Sequence, residues 1–215
     1  MLYPNIKRFL DIVISLILLI LFTPLLLLIT LVIKLSDGGE IFLHDPLRIG
    51  LNGKEFFMYK FRSMIPNAHE EIQKNPKYKK EKEKWLENGG KLKIKEDPRI
   101  TGIGKFLRAT DLDELPQLIN VLKGDMSLVG PRPSYHSEMA RYLKNNPDKE
   151  SLVDTVWSVR PGLTGIWQVS GRNEISFKER IELDAKYAQN YDFILDLGIL
   201  LQTPYVVLTR KGAYE

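Results

Sequence analysis

The run Ala109-Thr110-Asp111-Leu112-Asp113-Glu114-Leu115-Pro116 places three carboxylates within four residues. Leu112, Leu115, Leu118/Ile119 and Leu122 recur at helical spacing, and Pro116 is tolerated only in a first turn, which predicts a helix starting around Leu112 or Asp113. Three acids then crowd a helix N-terminus. One explanation is structural: Asp111 and Glu114 have the capping-box spacing, and acids there favour the helix dipole. That leaves Asp113 over. An ionised, exposed carboxylate at such an end can act as a nucleophile or hold a divalent cation. Neighbouring helical residues diverge by about 100°, so Asp113 and Glu114 do not face each other across a scissile bond. One nucleophile beside one metal ligand fits that geometry better.

Cations with phosphate chemistry lie on both sides of this run. Pro131 and Pro133 fix the backbone around Arg132 and aim one guanidinium, which suits bidentate phosphate binding as well as a surface ion pair in a rigid turn. Glu55-Phe56-Phe57-Met58-Tyr59-Lys60-Phe61-Arg62 reads as an aromatic strand. Lys60 and Arg62 would project from one face of it, where two like charges invite an anion or decorate a solvated edge. The stretch 159–173 is loop-rich and holds Trp167, Gln168 and Arg172, which suit a stacked base or sugar and equally an ordinary fold. Gly102-Ile103-Gly104-Lys105 lacks the spacing of a phosphate loop and of a dinucleotide fingerprint.

These groups need a scaffold, and its first element is apolar. The 22 residues from Ile12 to Ile33 carry no charge, between Lys7-Arg8 and Lys34. At 1.5 Å per residue they reach about 33 Å, enough to cross a hydrocarbon core. The run is too long for a signal peptide and lacks its cleavage site. Thr23-Pro24 divides it near the middle, so it can span with a kink or enter and leave by one face as a helical hairpin. Proline in membrane helices more often only kinks them, which favours the span.

The remaining chain is hydrophilic, although the mean hydropathy of −0.18 hides the contrast. With 215 residues there is room for one domain with its own core. The absence of cysteine excludes disulfides, thiolate zinc sites and a Cys nucleophile. Net charge is only +4 with acids interleaved, which argues against nucleic acid as a partner. Ile41-Phe42-Leu43-His44 reads as a short strand, Asn52-Gly53 as a hairpin turn, and the Lys/Glu-rich residues 66–99 as one or two exposed amphipathic helices.

Taken together, several runs closely resemble the bacterial sugar transferases, the monotopic polyprenyl-phosphate phosphoglycosyl transferases. They are Lys7-Arg8-x-x-Asp11, Thr23-Pro24, Tyr59-Lys60-Phe61-Arg62-Ser63-Met64, Asp97-Pro98-Arg99-Ile100, Leu112 to Leu118, Leu122 to Pro133 and Arg160 to Gly165. The resemblance runs nearly end to end. It implies transfer of sugar-1-phosphate from a UDP-sugar to polyprenyl (undecaprenyl) phosphate, with UMP released, as the first membrane step of surface polysaccharide synthesis. Asp113 would be the nucleophile and Glu114 would assist Mg²⁺, with Mn²⁺ as a substitute. Lys60, Arg62, Arg108 and Arg132 would contact phosphate. Trp167, Gln168 and Arg172 would belong to the nucleotide and sugar pocket.

The resemblance also reverses the membrane expectation. The Ser/Thr-Pro break in this family makes a re-entrant helix-break-helix, with both ends and the catalytic domain at the cytoplasmic face of the bacterial inner membrane. The expected fold is therefore α+β and mainly helical. A re-entrant anchor (1–36) would precede a membrane-associated catalytic domain (37–215) with a small hairpin and amphipathic surface helices (66–99). Thr164 to Arg172 and Gly212-Ala213-Tyr214 are similar to the hexose-1-phosphate branch, which implies UDP-galactose or UDP-glucose as donor. Members of that branch usually carry an N-terminal multi-span region, and the expectation here is a form lacking it. His44 and Asp111 depart from the commoner Gln and Ser. A homodimer, phospholipid and downstream glycosyltransferases are the further implied partners. The alternatives are the same reaction with a UDP-N-acetylated sugar, or a non-catalytic membrane-tethered binding or assembly module.

Overall fold

A computed structural model describes residues 3–37, 39–43, 47–87, 92–210 and 212. Helix α1 (Tyr3–Asp37) leads into the hairpin β1 (Arg48–Ile49) and β2 (Glu55–Phe56). Helices α2 (Ala68–Lys74), α3 (Lys79–Glu87), α4 (Gly102–Ala109) and α5 (Gln117–Lys123) follow. Strands β3 (Ser127–Val129) and β4 (Ser134–Tyr135) then precede α6 (His136–Asn145) and α7 (Glu150–Trp157). The chain closes with β5 (Gly162–Thr164), α8 (Ile166–Ser170), α9 (Phe177–Asn190) and α10 (Phe193–Thr209). The fold is mainly helical, as expected, with strands of two or three residues.

The chain divides into two compact units. The first joins Met1–Thr23, Asp45–Tyr59 and Pro116–Gly212; the second joins Pro24–His44, Lys60–Leu115 and Ala213–Glu215. In the first unit, Asn52 and Gly53 both take positive φ (53° and 76°) and close the hairpin, a conformation that Asn-Gly adopts at little cost. Strand β1 pairs with β2 on one side and β4 on the other, all antiparallel, whereas β3 runs parallel to β5. The backbones meet closely at Gly130, where a Cβ would lie 2.4 Å from the Arg160 carbonyl, so only glycine fits. The first core packs Leu118, Val121 and Met126 with Leu128, Val129 and Tyr187. A second cluster packs Met139 and Tyr142 with Val153, Val156, Ile181 and Ala185.

The start of α1 is fastened to this unit by polar groups. The buried Asp11 carboxylate accepts from Ser127 Oγ (2.7 Å) and Leu128 N–H (3.0 Å). Arg8 donates to the Val121 and Leu122 carbonyls, which neutralises the C-terminal end of α5. Asp196 of α10 collects Tyr3, Lys7 and Tyr187 at 2.5–2.6 Å.

In the second unit, Ile29, Ile33, Phe61 and Leu107 form the buried centre, with Leu25, Leu26, Ile41, Phe42, Ile103 and Leu112 against it. Each such side chain contributes about 1.5–3 kcal/mol through burial. The expected strand 55–62 ends at Phe56 as a regular element. Beyond it, segment 60–62 runs against segment 41–43 through Leu43 N–H to Lys60 O and Arg62 N–H to Ile41 O, both 2.8 Å. The Ile41 to His44 strand reduces to a single bridge between Phe42 and Phe61, and His44 lies outside the described residues. Residues 66–99 do hold two short helices, α2 and α3, joined by a 3-10 turn in which Pro76 occupies the first turn. Ile72 of α2 is fully buried.

Helix α1 is assigned as helical throughout, Pro24 included, and the boundary between units falls between Thr23 and Pro24. Proline removes a backbone donor here, and Thr23 Oγ donates back to the Leu19 carbonyl at 2.7 Å. The helix is long and apolar enough to cross a membrane, and only 11% of its most apolar stretch is buried by protein. Ile17, Ile20, Leu21, Leu27, Leu28 and Leu31 are each more than half exposed. Helix α10 shows a similar exposed stripe at Ile194, Leu197, Leu201, Tyr205 and Leu208. Apolar surface of this kind is what an apolar medium covers.

Candidate functional site

The acidic run folds differently from a single capped helix. Leu112–Glu114 forms a 3-10 turn, Pro116 precedes α5, and the regular helix begins only at Gln117. Asp111 takes a left-handed conformation (φ 53°), and its side chain makes no capping hydrogen bond. The capping box is therefore absent, because a left-handed backbone turns the Asp111 carboxylate away from the following amides. Capping leaves the acids unexplained.

Asp113 is placed through its backbone. Phe61 N–H donates to the Asp113 carbonyl at 2.9 Å, which sets Lys60 beside the Asp113 side chain. Lys60 Nζ then lies 3.0 Å from Asp113 Oδ2 and 3.1 Å from Glu114 Oε1. The two carboxylates, adjacent in sequence, thus converge on one ammonium. Asp113 is 2% exposed, contrary to the expected exposed helix end, because the 60–62 segment and the 3-10 turn enclose it. Its Oδ2 receives no aligned hydrogen bond among the described residues, although the Lys60 charge is close. That oxygen keeps its lone pairs.

Arg108, in the last turn of α4, donates through Nε to Ser63 Oγ at 2.8 Å. Helix α4 rests directly on that segment. Thr101 caps it, its Oγ accepting Gly104 N–H at 3.0 Å, and Thr101 N–H donates to the Ser63 carbonyl at 3.1 Å. A Cβ on Gly104 would stand 1.9 Å from the Ser63 carbonyl oxygen, so the approach needs glycine. The Gly-x-Gly pattern thus serves helix packing and not a phosphate loop. Arg62, two residues from Lys60, meets a different neighbour. It is 6% exposed, and its guanidinium packs under the Gly39 backbone. Nearby, Arg99 forms a buried bidentate pair with Asp97 at 2.7–2.8 Å, which accounts for the Asp97-Pro98-Arg99 run structurally.

Arg132 belongs to the first unit. Its guanidinium lies 5.5 Å from the centre of the Trp167 ring, and Arg180 approaches the same ring at 5.3 Å. Arg180 Nη2 donates to the Arg132 carbonyl and to Ser134 Oγ, both at 2.7 Å. Arg180 Nε faces Asp184 Oδ2 at 3.5 Å. Burial pushes the Asp184 carboxyl up to about 6, against the opposing effect of the Arg180 charge and the Arg132 backbone N–H. The loop-rich 159–173 stretch is more ordered than expected, comprising β5, α8 and a 3-10 turn over Arg172–Glu174. Gln168 is buried and donates to the Leu163 carbonyl at 3.4 Å, while Arg172 sits at a left-handed position (φ 52°).

The sequence reading missed Arg180, Asp184, Ser63 and Asn120. Arg180 and Asp184 have the i, i+4 spacing of an ordinary surface pair, and nothing in that spacing signals burial. Asn120 is fully buried and accepts Tyr59 N–H (2.9 Å) while donating to the Phe57 carbonyl (2.7 Å), standing in for a strand neighbour.

No cluster of three or more metal-ligating side chains occurs among the described residues. Two carboxylates gathered around one cation nevertheless fit Mg²⁺. This hard ion prefers oxygen donors, and it commonly takes one or two carboxylates and completes its shell with water and substrate phosphate.

Residues 2–210 match the bacterial sugar transferase family. The chain is 44% identical over 212 residues to the undecaprenyl-phosphate galactose phosphotransferase of Salmonella typhimurium, covering 97% of this chain and 41% of that protein. It is 40% identical over 208 residues to the exopolysaccharide production protein ExoY of Sinorhizobium fredii, covering 97% and 88%. It is 36% identical over 218 residues to the UDP-glucose:undecaprenyl-phosphate glucose-1-phosphate transferase of Klebsiella pneumoniae, covering 97% and 41%. The chain thus spans about two fifths of the galactose and glucose transferases and most of ExoY.

Proposed function

The chain belongs to the bacterial sugar transferase family, and we propose that it transfers a hexose-1-phosphate from a UDP-sugar to polyprenyl phosphate at a membrane. The observation that carries this reading is the convergence of Asp113 and Glu114 on Lys60. Asp113 Oδ2, without an aligned donor, attacks the sugar-linked phosphorus of the UDP-sugar. A carboxylate–phosphorus bond forms, the bridging phosphoanhydride bond breaks, and UMP leaves with the electron pair. A phosphate oxygen of polyprenyl phosphate then attacks the same phosphorus and releases the Asp113 carboxylate. Glu114, with Asp113, would hold Mg²⁺, which would supply charge neutralisation on the diphosphate.

Lys60 has a role on either side of that event. It balances the two carboxylates before substrate arrives and can turn its ammonium to phosphate afterwards. Arg108, anchored by Ser63, and Arg132, fixed between two prolines, are proposed phosphate contacts. Arg62, buried beneath Gly39, is better suited to holding the Lys60 segment than to binding substrate. Trp167, Gln168 and Arg172 remain assigned to the nucleotide and sugar end on the resemblance alone.

The exposed apolar faces of α1 and α10 support membrane association. Re-entry of α1 at Thr23-Pro24 would leave the catalytic residues and both ends of the helix at the cytoplasmic face. The galactose and glucose transferases among the relatives support UDP-galactose or UDP-glucose as donor.

The test is a UMP-release screen of UDP-galactose, UDP-glucose and UDP-N-acetylglucosamine with undecaprenyl phosphate, paired with intact-protein mass measurement. Donor alone should add one hexose phosphate to the wild type and nothing to Asp113→Asn. Sustained turnover by a folded Asp113→Asn protein would overturn the covalent mechanism. Absence of UMP release with every donor would overturn the activity.

A further inference from the structure

We propose that Arg180 and Asp184 are positioning residues that hold Arg132 in place for a substrate phosphate; this rests on the phosphate-binding reading of Arg132 above. The two sit one turn apart on α9, and Arg180 grips the backbone carbonyl of Arg132. Arg180 Nη2 donates to its carbonyl at 2.7 Å, and Asp184 Oδ2 faces Arg180 Nε at 3.5 Å, which orients that guanidinium. The same Nη2 reaches Ser134 Oγ at 2.7 Å, so one guanidinium holds the Arg132 backbone and the Ser134 side chain across Pro133. Pro131 and Pro133 already restrict the backbone of this turn. Little backbone freedom remains at Arg132.

The Arg132 side chain lies beside a ring. The Trp167 ring lies 5.5 Å from the Arg132 guanidinium and 5.3 Å from that of Arg180, while Phe177 lies 5.2 Å from Arg180. Like charges at one aromatic ring repel each other, which keeps the Arg132 guanidinium apart from that of Arg180.

Stability alone is a weak explanation for such a pair. Arg180 is 7% exposed and Asp184 fully buried, and a buried ion pair commonly contributes no more than apolar side chains of the same volume. Its geometry is spent on Arg132 and Ser134. The Arg180–Asp184 contact itself, at 3.5 Å, is longer than the bonds from Arg180 to Arg132 and Ser134 at 2.7 Å.

The test is a cycle of variants assayed for UMP release with undecaprenyl phosphate and the donor that the wild type turns over. Arg180→Met/Asp184→Leu removes the pair without leaving a lone buried charge. Arg180→Lys keeps the charge but cannot reach both oxygens, and it decides the question if the double variant unfolds. Thermal melts confirm which proteins are folded. A misplacement of about 1 Å at a phosphate contact predicts a kcat/KM loss of about 100-fold in the double variant. Arg180→Lys should show a partial loss. Adding Arg132→Ala to either background should then cost far less than it costs the wild type, because a residue out of position has little left to lose. A merely structural pair would leave the Arg132→Ala effect undiminished. Near wild-type kcat/KM in a folded variant, or an Arg132→Ala loss that is fully additive, overturns the proposal. Wild-type kcat/KM in Arg132→Ala itself instead overturns the phosphate role of Arg132 on which the proposal stands.

Discussion

Lys60→Met isolates what the ammonium does for the two carboxylates. At an effective dielectric of about 20, unit charges ~3 Å apart attract by about 5 kcal/mol, and Lys60 makes two such contacts. Much of that attraction offsets desolvation, since the Lys60, Asp113 and Glu114 side chains are only 16%, 2% and 14% exposed. Deleting one member of a buried pair costs about 3–5 kcal/mol, chiefly because the remaining charge stays behind unneutralised. A chain of this size loses roughly 2–4 °C of melting temperature per kcal/mol, so a cost of ~3 kcal/mol lowers the midpoint by about 6–12 °C. The assay is thermal unfolding of the detergent-solubilised protein, with EDTA and with millimolar Mg²⁺. Lys60→Met should melt early in EDTA and recover most of the difference in Mg²⁺, because the cation takes over the neutralisation. The wild type should respond less, since Lys60 competes for the same oxygens. Adding Asp113→Asn should restore part of the loss in EDTA by removing one of the two negative charges. A Lys60→Met midpoint equal to the wild type in EDTA would refute the electrostatic account. Failure of Mg²⁺ to rescue it would refute the carboxylate pair as a cation site.

The two glycines of α4 should behave oppositely. Gly104→Ala forces Cβ into the Ser63 carbonyl and should cost about 3 kcal/mol in unfolding free energy, while UMP release falls as Arg108 is displaced. Gly102→Ala has nothing within 4 Å of its new Cβ and should be neutral or stabilising by about 0.5 kcal/mol. Topology is accessible because the chain has no cysteine of its own. Single cysteines at the exposed Asn5 and Ser36 should react with an impermeant maleimide from the same side of a sealed vesicle, and labelling from opposite sides would rule out re-entry.

Much was legible along the chain. The charge-free run from Ile12 to Ile33 announced the apolar helix, because bilayer thickness converts directly into residue count. Asn52-Gly53 announced the hairpin, since left-handed φ at both positions suits those two residues. Asp113, Glu114 and Arg132 stood out as residue types suited to phosphate and cation chemistry, and the resemblance added Arg108. Local spacing misled where the partner was distant in sequence. The capping box of Asp111 and Glu114 matched a sequence pattern but failed on one backbone angle. Lys60 and Arg62 matched a strand face, yet one reaches the carboxylates and the other lies under Gly39.

By itself the sequence determined the inventory: an apolar helix interrupted by Thr23-Pro24, acids grouped near Pro116, an arginine set between two prolines, and the family. Periodicity and residue chemistry are local properties, and they survive in one dimension. Tertiary structure alone decided which charges meet. The Phe61 amide on the Asp113 carbonyl places Lys60 between two carboxylates from a segment more than fifty residues away. Packing of α9 turns an ordinary-looking i, i+4 pair into the buried clamp on Arg132. Both depend on burial and long-range hydrogen bonds, which residue spacing does not encode.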